Sequence, residues 1–121
     1  MINCSNAISV EFFPPKTEQG LVHLRQCAET LARYQPQFYS MTFGAGGSSQ
    51  LQTQQTIECL LQAGITELVP HISCVSTTEQ RLREMVNHYL SLGISRFVVL
   101  RGDLPPEGDE AFVEWNHASD L

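Results

Sequence analysis

The sequence predicts an α/β fold in which parallel strands alternate with helices. Three observations lead there. Four short strand-like runs are separated by three helical ones, with a period of about thirty residues, the size of one βα unit with its return to the sheet. The third and fourth of these runs, "TELVPHISCV" (66–75) and "SRFVVLR" (95–101), are almost continuously apolar, as strands covered on both faces are. A weak internal repeat, "GITELVPH" from 64 against "GISRFVVL" from 93, aligns across the helix-to-strand turn. Repeated βα units call for parallel strands and right-handed crossovers, which leaves a doubly wound sheet or a (βα)₈ barrel.

Each element has its own local reason. "AISVEFF" (7–13) is rich in β-branched and aromatic residues and is stopped by Pro14 and Pro15. The first helix is expected from about Thr17 to Tyr34, with Leu21, Leu24, Ala28 and Leu31 along one face. "QFYSMTF" (37–43) reads as the second strand, and a helix over roughly 50–63 starts after "GGSS" and stops at Gly64. In "STTEQRLREMVNHYLSLG" the apolar residues Leu82, Met85, Val86, Tyr89 and Leu90 fall on one helical face. Ser76 with Glu79 fits a capping box there, and Gly93 fits the stop.

Composition bounds the function. At 121 residues the chain is sized for one domain with one core. Net charge is -6 and Lys16 is the single lysine, a balance that argues against nucleic acid and anionic membrane as partners. No apolar run is long enough to span a bilayer, and "MINCSNAISV" has no basic start followed by a long apolar core, so the cytoplasm is the expected location. Cys4, Cys27, Cys59 and Cys74 form no CxxC pair and are expected as reduced thiols, without zinc or a disulfide framework.

The chemically distinctive residues share a position. Glu11, Thr42, His71 and the Arg101–Asp103 cluster recur at intervals of about thirty residues, each at the C-terminal end of an expected strand. Parallel βα folds bind their ligands at that edge. Glu11 is therefore read as a site residue and not as a charge on a solvent-facing strand. "TFGAGGSS" (42–49) can cradle an anion on free N–H groups. It lacks the lysine of a P-loop and the GxGxxG spacing, so an ordinary tight turn fits equally well. A phosphate- or nucleotide-binding module without redox chemistry is accordingly an alternative reading. His71 has no second histidine or carboxylate at ligand spacing, so no metal is expected. In "LRGDLPPEGD" the Pro105–Pro106 pair stiffens the loop that carries Asp103.

Taken together, "SVEFFPPKT", "YSMTFGAGGS", "VPHISC" and "GISRFVVLRGDLPP" resemble the 5,10-methylenetetrahydrofolate reductase family, in its order and spacing, and the likeness extends to "HASDL" at 117–121. The resemblance implies a (βα)₈ barrel holding FAD over the C-terminal ends of its strands. It also implies hydride transfer from NADH or NADPH through the flavin to methylenetetrahydrofolate, giving methyltetrahydrofolate for methionine synthesis. By the same resemblance Glu11 is the acid that assists protonation at folate N10. Asp103 is the aspartate near flavin and pterin, which binds folate and influences hydride release. Thr42, Phe43, Ala45, His71, Arg101, Gly102 and Ala118 match positions that line the flavin, with His117 where an aromatic residue is common. The family is expected to act as a homo-oligomer when full length. A complete barrel takes about 250 residues. The resemblance therefore makes residues 1–121 the N-terminal half of one barrel domain, about four βα units, expected to be inactive alone or to pair with another chain.

Overall fold

The computed structural model describes residues 7–43, 50–75, 77–102 and 117–121. Its elements, in chain order, are β1 (Val10–Phe12), α1 (Glu18–Leu31), β2 (Tyr39–Met41), α2 (Gln50–Gln62), β3 (Leu68–Ser73), α3 (Glu79–Ser91) and β4 (Val98–Leu100). Short 3₁₀ turns follow α1 at Ala32–Tyr34 and close the chain at Ala118–Asp120. The fold is α/β. Every ladder is parallel, and the strand order is β1-β2-β3-β4. Crossovers that all step the same way, with the usual right hand, carry their helices to the same face of the sheet. Consistent with that rule, α1 and α2 touch. A doubly wound sheet would instead reverse its order at a switch point. The order seen here is that of the N-terminal half of a (βα)₈ barrel.

The chain divides into two compact units, Met1–Pro70 and His71–Leu121. In the first, β1 pairs with β2 from Val10↔Tyr39 to Phe12↔Met41, and β2 pairs with β3 from Tyr39↔Leu68 to Met41↔Pro70. Its core holds Ala28, Met41, Ile57, Leu60, Leu68 and Val69. In the second, β3 pairs with β4 from His71↔Val98 to Ser73↔Leu100, and Ile72, Cys74, Met85, Tyr89 and Ile94 are buried. Tyr89 packs its ring against Phe97, with centroids 6.1 Å apart. Pro70, which has no N–H to give, sits in β3 one residue before the β3–β4 ladder begins. That placement spares the strand an unmade bond on that side.

Strand assignments are shorter than the sequence predicts, yet the hydrogen bonds run further. Gln37 N donates to Ile8 O at 2.8 Å and Thr42 N to Phe12 O at 3.0 Å, on either side of the β1–β2 ladder. Beyond β3, Cys74 N donates to Leu100 O at 3.2 Å and Val75 N to Arg101 O at 3.1 Å.

Helix ends are set locally. Thr17 caps α1, its side chain accepting from Gly20 N at 3.0 Å. At α3 the cap is Thr78, which is extended and accepts from Arg81 N at 3.3 Å. The expected Ser76 cap is thus replaced by a start two residues later, and Ser76 itself lies outside the described residues. Three hydroxyl residues in a row give local chemistry no preference among them; the burial of Thr77 ties its residue to the core ahead of the helix.

The Gly-Ile repeat also has a structural cause. Ile65 N donates to Leu60 O and Gly64 N to Leu61 O; Ile94 N donates to Tyr89 O and Gly93 N to Leu90 O. Each is the paired bonding of a Schellman stop, with Gly64 at φ +88 and Gly93 at φ +85. The isoleucine after each glycine is buried beside the helix's last core residue, so the same two letters end a helix and begin the approach to a strand.

Candidate functional site

In the first unit, Glu11 lies at the middle of β1 and is exposed, opposite Ser40 of β2 in the parallel register. Ser40 is buried, and its hydroxyl faces Glu11 Oε2 at 3.5 Å, a long contact at the limit of hydrogen bonding. The strand ends one residue beyond Glu11, so the carboxylate stands near that end and not at it.

Thr42 follows β2 directly. Its N–H extends the β1–β2 ladder, and its carbonyl accepts the hydroxyl of Thr53 from α2 at 3.3 Å. Both contacts fix the residue at the strand end. Its own hydroxyl is buried and has no hydrogen-bond partner among the described residues. A buried hydroxyl left in that state costs about 1–3 kcal/mol, so its persistence calls for a partner. Phe43, next in the chain, is half-buried. Ala45 lies outside the described residues.

In the second unit, His71 is half-buried and opposite Val98. It was expected at the end of its strand. β3 instead continues to Ser73, because the ladder with β4 starts at His71 and carries the strand on. Arg101 is exposed just after β4, and Gly102 follows at φ +85. A Cβ at residue 102 would overlap the Ser73 hydroxyl, so backbone angle and space both demand glycine there. Asp103 lies outside the described residues. Ala118 opens the final 3₁₀ turn after His117, whose N–H donates to Asp120 Oδ2 at 3.0 Å. A groove of about 390 Å³ in this unit, lined by α3 residues such as Leu82 and Arg83 with Asp120 and Leu121, contains none of the expected site residues.

Two serines escaped the sequence reading. Ser40 and Ser73 are buried polar residues in largely apolar strand runs, and each contacts a candidate residue, Ser40 the Glu11 carboxylate and Ser73 the Arg101 carbonyl. The available signal was a hydroxyl in "FYSM" and in "HISC", which must find a partner once buried. Among the described residues no group of three or more potential metal ligands is found, and no helix is long and apolar enough to cross a membrane.

Comparison with known proteins adds the following. The family model described as methylenetetrahydrofolate reductase matches residues 2–121. A 5,10-methylenetetrahydrofolate reductase of Pectobacterium carotovorum is 36% identical over 101 residues, covering 84% of this chain and 34% of its own length. The Escherichia coli protein of that name is 34% identical over 114 residues, covering 94% of this chain and 38% of its own. An Arabidopsis thaliana relative, methylenetetrahydrofolate reductase (NADH) 1, is 35% identical over 108 residues, covering 89% of this chain and 18% of its own. The chain thus spans only a minor part of the length of the curated relatives it matches.

Proposed function

Since this chain belongs to the methylenetetrahydrofolate reductase family, we propose that it supplies the first four βα units of a barrel domain that reduces 5,10-methylenetetrahydrofolate to 5-methyltetrahydrofolate. The family match over residues 2–121 is the observation that carries this reading. NADH or NADPH is the hydride donor; the NADH in the plant relative's name supports a nicotinamide. FAD, when bound, relays the hydride between nicotinamide and folate.

One feature of the described residues supports a flavin. Thr42 has a buried hydroxyl without a partner among the described residues, and a donor so placed suits a carbonyl or phosphate oxygen of the cofactor. Phe43, Ala45, His71, Arg101, Gly102 and Ala118 are the further lining residues of this proposal. Gly102 brings main chain, not side chain, to its position.

Glu11 acts on the substrate. As a carboxylic acid it gives its proton to N10 of the folate while the five-membered ring opens, leaving an electrophilic carbon at N5 for the hydride. Ser40 stands opposite it across the β1–β2 ladder. Asp103 binds the folate and keeps a negative charge near the flavin. In this reading the enzyme is cytoplasmic, homo-oligomeric and specific for small molecules; a net charge of -6 opposes nucleic-acid binding.

Stopped-flow measurement of the two half-reactions in Glu11→Gln tests the assignment. Flavin reduction by nicotinamide should keep its rate, while folate reduction should fall by roughly 10²–10⁴-fold, the usual worth of a general acid. Equal damage to both half-reactions would make Glu11 structural or a flavin contact.

A further inference from the structure

We infer that Ser73 is the positioning residue for the backbone at the end of β4, the Arg101–Gly102 segment. Its side chain is buried, at 6% exposure, between the buried apolar residues Ile72 and Cys74. Such a hydroxyl is tolerated only if it bonds. Its Oγ donates to the Arg101 carbonyl at 3.0 Å. The same carbonyl accepts Val75 N at 3.1 Å, so both its lone pairs are engaged by the end of β3. A third, weaker donor, Cys74 Sγ, stands 3.4 Å away. Arg101's carbonyl is therefore held from one side by three consecutive residues, Ser73 to Val75.

The chain then turns at Gly102 with φ +85, directly over the hydroxyl that anchors it. A Cβ at 102 would overlap Ser73 Oγ and would lie 3.3 Å from Ser73 Cβ and 3.5 Å from Val75 Cβ. Serine and glycine are thus a matched pair. The hydroxyl fixes where the carbonyl of 101 points, and the missing side chain at 102 lets the backbone pass close above it. The functional consequence rests on the flavin reading given above: Arg101 and Gly102 are lining residues in that reading, and Ser73 sets their backbone path.

The test has two arms. Without cofactor, thermal unfolding is compared for wild type, Ser73→Ala, Gly102→Ala and the double variant. Removing Oγ relieves the overlap but not the positive φ, so the double variant should melt higher than the summed single effects allow. Additive effects would overturn the pairing. With cofactor, FAD is titrated by flavin fluorescence into wild type, Ser73→Ala and Ser73→Thr. Loss of one hydrogen bond should weaken FAD roughly two- to tenfold, and threonine, which keeps the hydroxyl, should restore it. Wild-type affinity in Ser73→Ala would overturn the positioning role. If wild type takes up no FAD while the thermal coupling is present, the serine–glycine seat stands, and these four βα units do not hold the flavin by themselves.

Discussion

Thr42, like Thr77, holds a buried hydroxyl with no hydrogen-bond partner among the described residues, and at the end of β2 this makes a specific expectation. Thr42→Val keeps the shape and removes the orphan group. Without ligand it should leave stability unchanged or raise it by about 1–3 kcal/mol, while weakening FAD. Opposite signs in a melting curve and a flavin titration are the expected result; loss of both together would mean that the hydroxyl has a structural partner. Tyr39 supplies a pH test. Burial raises its phenol above the ordinary 10.0, since desolvation disfavours the anion. The folded state then holds its proton where the unfolded chain has begun to release it. Stability contributed this way is intact below pH 10 and falls as pH rises from 10 toward the folded value. Tyr39→Phe should flatten that alkaline decline in urea titrations, and an unchanged slope would contradict it. Thr42 and Arg101 were legible as strand-end residues from spacing alone, whereas Glu11 lies one residue short of its strand end. Ser40 and Ser73 were not, because a serine in a strand becomes informative only once its burial and its partner across the ladder are seen.

At the scale of elements, the helices were read closely and the strands less so. Helix ends are written in short-range chemistry: Thr17 before α1, and glycine followed by isoleucine after α2 and α3. Strand ends depend on where a neighbouring strand begins, so β3 outruns His71. The cap of α3 was misplaced because "STT" offers three equivalent hydroxyls. Thr78→Ala should lower stability by about 1 kcal/mol in chemical denaturation, as loss of a helix cap does. A null effect would return the cap to another residue. Gly93→Ala should cost about 1–2 kcal/mol, since its added Cβ meets nothing within 4 Å and only the positive φ is penalised. Gly102→Ala should cost more, since overlap with Ser73 is added to the same strain. Equal costs at the two glycines would show that the loop after β4 yields easily.

For the whole molecule, the strand order β1-β2-β3-β4 ranks the strands. β2 and β3 have pairing strands on both sides, whereas β1 and β4 have one each among the described residues. β2 is buried throughout, and β1 and β4 each expose their middle residue. Native-state hydrogen exchange should therefore find amides of β2 and β3 slower than those of β1 and β4. Equal protection in all four would mean that further strands cover β1 and β4 in solution. Parallel pairing, the thirty-residue unit, the helix stops and the family were determined by sequence alone, because they rest on periodicity, capping chemistry and motifs that neighbouring residues encode. Which hydroxyls are buried, which of them lack a partner among the described residues, where β3 ends and why residue 102 must be glycine were decided only by tertiary structure. Those facts depend on atoms some thirty residues apart being brought within hydrogen-bonding distance, as Ser73 and Arg101 are at 3.0 Å, and local sequence carries no record of that distance.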